Sequence, residues 1–439
     1  MTMLSAQISR STEPTTVAEL GVDRGIMLDL VLKTMFYRGR LTQQELGDEL
    51  RLSNSVMQEL LQALNADQLV DVKGSVGSGP SGYVYSLTDK GLDRAQAALE
   101  RSGYVGPAPV SLAQYVMQVQ AQSIMDAWVA PESITHALSP LILSEPTMRR
   151  IGRAAVSKRA TLVYGASGNG KTTVVRAIGS AIEGGIRIPY AIEMVGQIVH
   201  LYDSSKHEII DEPEETYGEE SPMRVVRHDR RWVAVRRPVI WAGGELTKHS
   251  LELVYDDRTR VYEAPLQLKA NGGTLIIDDF GRQQIPAVQL LNRWIVALEG
   301  GIDHLTLHTG QTIEIPFDVL VLFSTNLPPE ELADEAFLRR IRYKVEVPDP
   351  TRDEYERIMR AECAARGIAY DPAAVQSLFA EWYERDGRAL RGCHPRDIIE
   401  AVVDAARFEG RAPALTPEAI DDACSTYFLR ARPRDGEVS

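Results

Sequence analysis

Apolar residues recur at three- and four-residue spacing over the first part of the chain, which is typical of amphipathic helices. Residues 21–38 show this spacing, for example at Ile26 and Leu30. Two shorter stretches, 41–50 and 54–70, repeat it on either side of a short polar break. Two amphipathic helices joined by so few residues predict a helix-turn-helix.

A strand–turn–strand pattern follows these helices. β-branched and aromatic residues flank a Gly-rich segment between Gly74 and Gly82, and residues 92–99 predict a last helix. Three helices, a hairpin and a final helix resemble a winged-helix domain, which we place at residues 20–103. Residues 104–130 begin with the Gly/Pro-rich stretch 104–109 and are expected to be a linker with a connecting helix.

Short, continuous apolar runs separated by helical stretches occupy residues 131–347. The runs TLVYG, TLIID and LVLFSTN indicate strands of a parallel sheet that is buried on both faces. A β-rich excursion, about 187–273, interrupts this region before the second run. The pattern becomes helical over residues 348–430.

The segment TLVYGASGNGKTT has the spacing GxxxxGK[ST], which is the P-loop pattern. A chain of this length matches the pattern by chance on the order of one time in a hundred, and here a strand precedes it and a helix follows. Glycines let backbone N–H groups converge on phosphate oxygens, Lys171 reaches the β- and γ-phosphates, and Thr172 takes a Mg²⁺ position. The predicted nucleotide-binding residues are Gly165, Ala166, Ser167, Gly168, Asn169, Gly170, Lys171, Thr172 and Thr173.

Two carboxylates follow the apolar run TLII, at Asp278 and Asp279. At the carboxyl end of a buried strand beside a P-loop, Asp278 would orient the water shell of Mg²⁺. Asp279 is then placed to polarise the attacking water. We therefore predict Thr172 and Asp278 as metal residues and Asp279 as a catalytic residue.

With these two motifs and the strand-end sequence FSTN, the chain resembles the AAA+ ATPases over about residues 131–428. The stretches APLQLKANGG, DDFGRQ, LLNRWI and DEAFLRRIRYK resemble more narrowly a bacterial group described as ATPases with possible chaperone activity. The resemblance implies an α/β fold: a P-loop AAA+ module with a parallel sheet and flanking helices, an α-helical lid, and the preceding α+β winged-helix domain. It also implies ATP and Mg²⁺ as cofactors and a hexameric ring.

The resemblance also assigns roles to single residues. Asn326 would contact the γ-phosphate or the lytic water, Arg339 or Arg340 would act as an arginine finger in the neighbouring subunit's site, and Arg396 would contact the phosphates in cis. Residues 241–253 would be the tip of a substrate-gripping insertion, or part of a hairpin that packs between subunits. Most AAA+ proteins have Asp-Glu where this chain has Asp278-Asp279. Aspartate is one methylene shorter, so the attacking water must lie closer or turnover is slower.

Composition narrows the class of protein. The chain has 439 residues, 44% of them apolar, and only three cysteines without CxxC spacing. A disulfide framework and a zinc site are therefore not expected, and a reducing cytoplasm fits. No apolar run is long enough to span a bilayer. Residues 1–19 and 431–439 are expected to be tails, the first of them disordered.

Charge bears on what the winged helix binds. The whole chain has a net charge of −13, and residues 20–100 carry eight cations against eleven anions. The predicted recognition helix, 54–64, has no Lys or Arg, although Ser53, Asn54, Ser55 and Gln58 could still touch bases or phosphates. We expect an ATPase that remodels or delivers a protein partner recruited by the winged helix. The alternatives are a DNA-acting AAA+ protein and a nucleotide-gated scaffold with little hydrolysis.

Overall fold

The computed structural model describes residues 12–76, 80–211, 228–332 and 335–428. The chain divides into two compact units. The first comprises Met1–Ala130, Ile182–Ile277 and Arg282–Val321, and the second comprises Pro131–Ala181, Asp278–Gly281 and Leu322–Ser439.

Helices and strands alternate along the described residues. The N-terminal elements are α1 (Arg24–Arg38), β1 (Leu41–Thr42), α2 (Gln43–Leu50), α3 (Asn54–Ala66), β2 (Val70–Ser75), β3 (Tyr83–Leu87) and α4 (Asp89–Arg101). Next come β4 (Val110–Ser111), α5 (Leu112–Ala121), α6 (Pro131–Leu138), α7 (Glu145–Ser157), β5 (Thr161–Tyr164), α8 (Lys171–Ser180), β6 (Gly185–Pro189), β7 (Ala191–Met194) and β8 (Gln197–His200). The central elements are β9 (Trp232–Arg236), β10 (Val239–Ala242), β11 (Val254–Asp256), β12 (Val261–Glu263), α9 (Leu266–Lys269), β13 (Thr274–Ile277), α10 (Ala287–Gly300), β14 (Ile302–Thr306), β15 (Thr312–Pro316) and β16 (Leu320–Thr325). The last are α11 (Pro329–Leu332), α12 (Glu335–Leu338), β17 (Tyr343–Glu346), α13 (Arg352–Ala365), α14 (Pro372–Leu378), α15 (His394–Phe408) and α16 (Pro417–Tyr427).

The N-terminal helices and hairpin follow one another in the order expected from the sequence, and β1, β3 and β2 form an antiparallel sheet in the order β1-β3-β2. A capping box between Thr42 and Glu45 starts α2, and the Ser53 hydroxyl accepts the backbone N–H of Val56 at the start of α3. The apolar positions of α3 recur at helical spacing and are buried in the core of this part of the first unit. Local capping and the apolar stripe therefore account for both helices.

The segment before α1 is ordered where the structure describes it, so the expectation of a disordered tail is wrong for residues 12–19. The Ser53 hydroxyl donates to Pro14 O at 2.7 Å, and the Val17 N–H donates to the Glu59 carboxylate at 2.9 Å. Val17 itself is buried in the N-terminal core. Tertiary contacts, which local composition does not report, hold this segment; residues 1–11 lie outside the described part.

Five parallel strands form one sheet in the order β10-β13-β16-β5-β17. The residues of β13 and β16 are all buried, as expected for strands covered on both faces. In register, β16 pairs with β5 from Leu322 opposite Thr161, and β17 pairs with the other side of β5. The carboxyl end of β5, where the predicted phosphate loop begins, therefore lies between the ends of β16 and β17.

The strand β10 corrects the interpretation of the excursion. Residues 187–273 were expected to be one insertion with a loop tip at 241–253, but Val239–Ala242 pair in parallel with β13, Trp241 opposite Ile276. The chain thus returns to the central sheet inside the predicted insertion, and the expected tip begins within a sheet strand. Leu246 and Leu251, which come after it, are buried, so this stretch is packed rather than projecting.

A second sheet has the order β11-β12-β8-β7-β4. Its last strand, β4, belongs to the segment expected to be a linker, and Val110 lies opposite Ile192 of β7. A capping box between Ser111 and Gln114 then starts α5 directly from that strand. Residues 104–130 are therefore not only a linker, because they contribute a strand to the sheet of the first unit.

The C-terminal helices α13–α16 surround an apolar core of their own. Tyr355, Leu378 and Ile398 are fully buried there, and the Tyr355 and Tyr383 hydroxyls are 2.8 Å apart. A parallel sheet with flanking helices, a helical C-terminal subdomain and an α+β N-terminal domain together confirm the fold class expected from the sequence. None of the described helices is long and apolar enough to cross a membrane.

Candidate functional site

The loop between β5 and α8 has a backbone that glycine alone accommodates easily at three points, Gly165, Gly168 and Gly170. Gly170 has φ +87°, and Gly165, at φ +142°, lies against the carbonyl of Val347, which a Cβ at that position would overlap. Gly170 also caps α8, so the loop turns directly into a helix N-terminus. Backbone N–H groups and the positive end of the helix dipole converge there, which suits an anion.

Lys171 is the first residue of α8 and is only 6% exposed. Its ammonium group donates a hydrogen bond to Ala166 O at 2.8 Å, inside the same loop. Burial lowers the pKa of Lys171, whereas the Asp279 and Asp278 carboxylates raise it. A buried ammonium held in a loop of this kind is available to exchange its carbonyl partner for a phosphate oxygen.

The two aspartates after β13 are held differently. The Thr172 hydroxyl donates to the Asp278 carboxylate at 3.2 Å. Asp279 has φ +51°, in the left-handed region, and its Oδ1 accepts from the Asn326 side-chain amide at 3.2 Å. Backbone in this region is costly for residues other than Gly, although Asp enters it more readily than most, and it is found preferentially at functional sites.

The residues that would hold Mg²⁺ offer suitable donors. Thr172 and Asp278 contribute a hydroxyl and a carboxylate oxygen that already lie within hydrogen-bond distance. Mg²⁺ prefers oxygen ligands and keeps several waters, so one or two protein donors together with substrate phosphates suffice. Among the described residues, no group of three or more His, Cys, Asp or Glu could hold a metal ion. The donor set therefore fits a metal that enters with a nucleotide better than a resident metal.

These residues line one cavity of about 590 Å³ in the second unit. Its lining brings together most of the predicted site: Ser167, Gly168, Asn169, Gly170, Lys171, Thr172, Thr173, Asp278, Asp279, Asn326 and Arg396. Gly165 and Ala166 lie in the same loop but do not line it. Arg339 and Arg340 are also absent from the lining; Arg339 is exposed and Arg340 half-buried.

Arg396 lies in the first turn of α15, where its guanidinium donates to the Asp397 carboxylate at 2.9 and 3.0 Å. That side chain still lines the cavity from the C-terminal helices. The arginine therefore lies near the phosphate loop and already has a carboxylate partner, which occupies only some of its N–H donors.

One part of the cavity lining was not predicted from the sequence. Residues 140–143, together with Pro348 and Ile358, add apolar residues to the lining, which also includes Glu354 and Glu362. The run Pro348-Asp349-Pro350 comes shortly after β17 and could have drawn attention, because the carboxyl ends of parallel strands share one edge. Apolar residues beside an anion-binding loop are what a nucleotide base and its phosphates require.

Comparison with known proteins gives little beyond this geometry. A family model described as a domain of unknown function, DUF8689, matches residues 351–426. No curated protein matches the chain. A structure of NtrX from Brucella abortus in complex with ATP is similar at 16% identity over 65% of this chain and 56% of that chain, with a TM-score of 0.40.

A mutant of RuvB from Thermotoga maritima is similar at 14% identity over 69% of this chain and 72% of that chain, with a TM-score of 0.36. A second RuvB structure, described as a Holliday junction branch migration motor, has the same identity and TM-score and covers 64% of this chain and 69% of that chain. The chain spans less than two thirds of the NtrX protein. Likeness this distant carries no argument, so the function has to be inferred from the residues of this chain.

Proposed function

We propose that this protein is an AAA+ ATPase that binds ATP with Mg²⁺, hydrolyses it, and uses the cycle to remodel or deliver a protein partner. The observation that carries the proposal is the convergence of Lys171, Thr172, Asp278, Asp279 and Asn326 on one cavity. A lysine at a helix N-terminus, a hydroxyl–carboxylate pair and a second carboxylate held by an amide are the parts that phosphoryl transfer needs.

The residues of the cavity have separate roles in the proposed reaction. The loop N–H groups and Lys171 bind the phosphate oxygens and neutralise charge that builds up during transfer. Thr172 and Asp278 would hold Mg²⁺, which would supply positive charge against the phosphates. The Asp279 carboxylate, oriented by Asn326, accepts the proton of the water whose oxygen attacks the γ-phosphorus, and the bond to the β–γ bridging oxygen breaks.

Replacing Asp279 with Asn tests whether its carboxylate accepts the proton of the attacking water. The amide keeps nearly the same shape but takes up no proton, so we expect turnover to fall about a hundredfold or more while nucleotide binding persists. Phosphate release and calorimetric ATP binding are measured on the same preparation. Asp93→Asn, at an exposed position of α4, is the matched control and should be unchanged.

An unchanged rate in Asp279→Asn would show that another group activates the water. A wild-type protein that binds ATP tightly but releases no phosphate would favour the nucleotide-gated scaffold instead. Aspartate is one methylene shorter than the glutamate usual at this position, so a slow wild-type rate is compatible with the proposal.

The proposal includes assembly into a ring, with six subunits expected from the resemblance. The observation that supports it is that neither Arg339 nor Arg340 lines the cavity of its own chain. Arg339 is exposed in the turn after α12, where it could reach a neighbouring site. An arginine supplied in trans by the next subunit would complete the site.

The winged helix is proposed to recruit a protein rather than to read DNA. Several of its cations have carboxylate partners: Arg94 and Arg101 with Asp29, and Arg38 with Glu49. Burial lowers the pKa of Lys33 to about 8, and its ammonium donates inward to Ser102 O. A phosphate backbone would therefore meet positive charge here mainly at the other exposed cations, such as Arg24, Arg40 and Arg51.

The start of α3 gives a second reason. In helix-turn-helix proteins the N-terminal residues of this helix contact base edges. Here the N-cap residue Ser53 donates to Pro14 O, and Glu59, further along α3, accepts the Val17 N–H, whereas Asn54 and Gln58 are exposed. Arg230 also donates to Leu52 O in the turn before α3 and pairs with Asp48 of α2 at 2.9 Å. DNA would have to displace these contacts or bind beside them.

Binding to duplex DNA separates the two possibilities. We expect the full-length protein to bind it no more tightly than about 10⁻⁴ to 10⁻⁶ M, the range of non-specific binding, with no stimulation of turnover. Fluorescence anisotropy over a salt series makes the measurement. Saturable nanomolar binding that is lost in an Asn54→Ala/Gln58→Ala variant, with ATP turnover raised by DNA, would overturn recruitment of a protein in favour of a DNA-acting AAA+ protein.

A further inference from the structure

The side chain of Asn169, in the phosphate loop, is hydrogen-bonded at both ends. Its amide nitrogen donates to the Asp349 carboxylate at 2.7 Å, and its amide oxygen accepts the backbone N–H of Gly392 at 2.9 Å. The residue is only 6% exposed. Both partners lie outside the loop, one after β17 and the other before α15, so this side chain ties three separate segments together.

Two further contacts strengthen the connection. Asp349 also forms an ion pair with Arg391, the residue before Gly392. On the loop side, Gly168 has φ +84° and lies so close to Cys393 that a Cβ would overlap its Sγ. The tip of the phosphate loop and the segment before α15 are therefore in direct contact. The Asn169 amide nitrogen donates to one partner and its amide oxygen accepts from the other. We call Asn169, Asp349 and Gly392 the clasp.

The clasp lies directly before the start of helix α15. Gly392 lies just before α15, separated from it by Cys393 alone, and Arg396, in the first turn of α15, lines the cavity. Further along the same helix, Ile398 and Ile399 are fully buried in the core of the C-terminal helices. A shift of Gly392 relative to the loop would therefore move Arg396, and the helices packed on α15 with it.

We propose that Asn169 is a positioning residue that acts through Arg396. The clasp holds the start of α15 on the phosphate loop, so that the loop conformation adopted around the phosphates sets the place of Arg396. This inference rests on the proposed function, since it assumes that Arg396 acts on nucleotide phosphates. It gives Asn169, which sequence reasoning placed only among the nucleotide-binding residues, a side-chain role directed away from the nucleotide.

A reciprocal exchange of donor and acceptor tests the contact itself. In Asn169→Asp the Gly392 N–H keeps its acceptor, but a carboxylate then faces the Asp349 carboxylate and repels it. Adding Asp349→Asn restores one donor and one acceptor in reversed order. We expect Asn169→Asp to lower kcat/KM for ATP by about tenfold or more, and the double variant to recover most of the loss. Asn292→Asp, at an exposed amide of α10, is the matched control.

A double-mutant cycle with Arg396→Ala tests the route of action. If Asn169 acts through Arg396, Asn169→Asp should change kcat/KM by less than about twofold once Arg396 is gone. A tenfold loss that persists in the Arg396→Ala background would overturn the proposal. So would a failure of the reciprocal variant to recover activity while its thermal unfolding matches the wild type.

Backbone hydrogen exchange at Gly392 distinguishes failure of the clasp from failure of the proposed function, because it needs no turnover. We expect faster exchange at Gly392 in Asn169→Ala than in wild type, since the amide acceptor is lost. Equal exchange in the two proteins would overturn the clasp even if ATP is hydrolysed. Faster exchange in a protein that hydrolyses no ATP would retain the contact and overturn its role in positioning Arg396.

Discussion

Lys171→Ala will abolish nucleotide binding. The ammonium is buried beside the helix N-terminus and is the cation of the phosphate loop itself. Charge-assisted hydrogen bonds to phosphate oxygens in such a site are among the strongest that a protein makes, so ATP affinity should fall more than about a hundredfold. Isothermal calorimetry with MgATP and MgADP measures the loss.

The matched control is Lys248→Ala, which removes an exposed lysine of the first unit and should bind ATP as the wild type does. Thermal unfolding of both variants shows whether the fold survives, since Lys171 also donates to Ala166 O within the loop. Tight ATP binding by a folded Lys171→Ala protein would refute the assignment of this loop to the phosphates.

Removing the arginine finger will leave binding intact and stop turnover. If Arg339 or Arg340 completes a neighbouring site, its replacement by Ala should lower kcat by roughly a thousandfold or more, by analogy with other arginine fingers. Specific activity of the wild type should also rise with protein concentration, because isolated subunits have incomplete sites. Arg342→Ala, at an exposed position in the same segment, is the matched control.

Mixing subunits of two inactive variants tests directly whether the arginine acts on the site of a neighbouring subunit. Subunits that lack the finger retain an intact phosphate loop, and Lys171→Ala subunits retain the finger. Co-assembled, they form some interfaces in which both parts are intact, so part of the activity should return. Turnover that does not depend on concentration, or the absence of rescue despite demonstrated co-assembly, would contradict the ring and favour a self-contained switch.

The parts of the site that were predicted from the sequence are defined by residues that lie close together along the chain. The P-loop is defined by glycines and a lysine within eight residues, and Asp278 and Asp279 come directly after a buried strand. Parallel strands bring such strand ends to one edge, so their convergence could be anticipated. The sheet itself was predicted from a local feature too, because β5, β13 and β16 each contain a continuous apolar run.

The parts that it missed depend on pairs far apart in the chain. Asn169 and Asp349 meet across 180 residues, and no spacing or periodicity marks either of them. Strand β10 is only four residues long and lies inside a β-rich excursion, so its apolar run resembled those of the insertion. Residues 12–17 have the composition of a polar tail. They are held by contacts with Ser53, Glu59 and the N-terminal core, which local composition does not report.

The central claim is that ATP is hydrolysed in the cavity formed around Lys171 and Asp279. Phosphate release from MgATP by the purified full-length protein, at subunit concentrations that span assembly, tests it most directly, with Lys171→Ala as the blank. The account predicts turnover above the blank that rises with concentration and saturates. Release no faster than that of Lys171→Ala, at a concentration where calorimetry shows the wild type saturated with ATP, would contradict it.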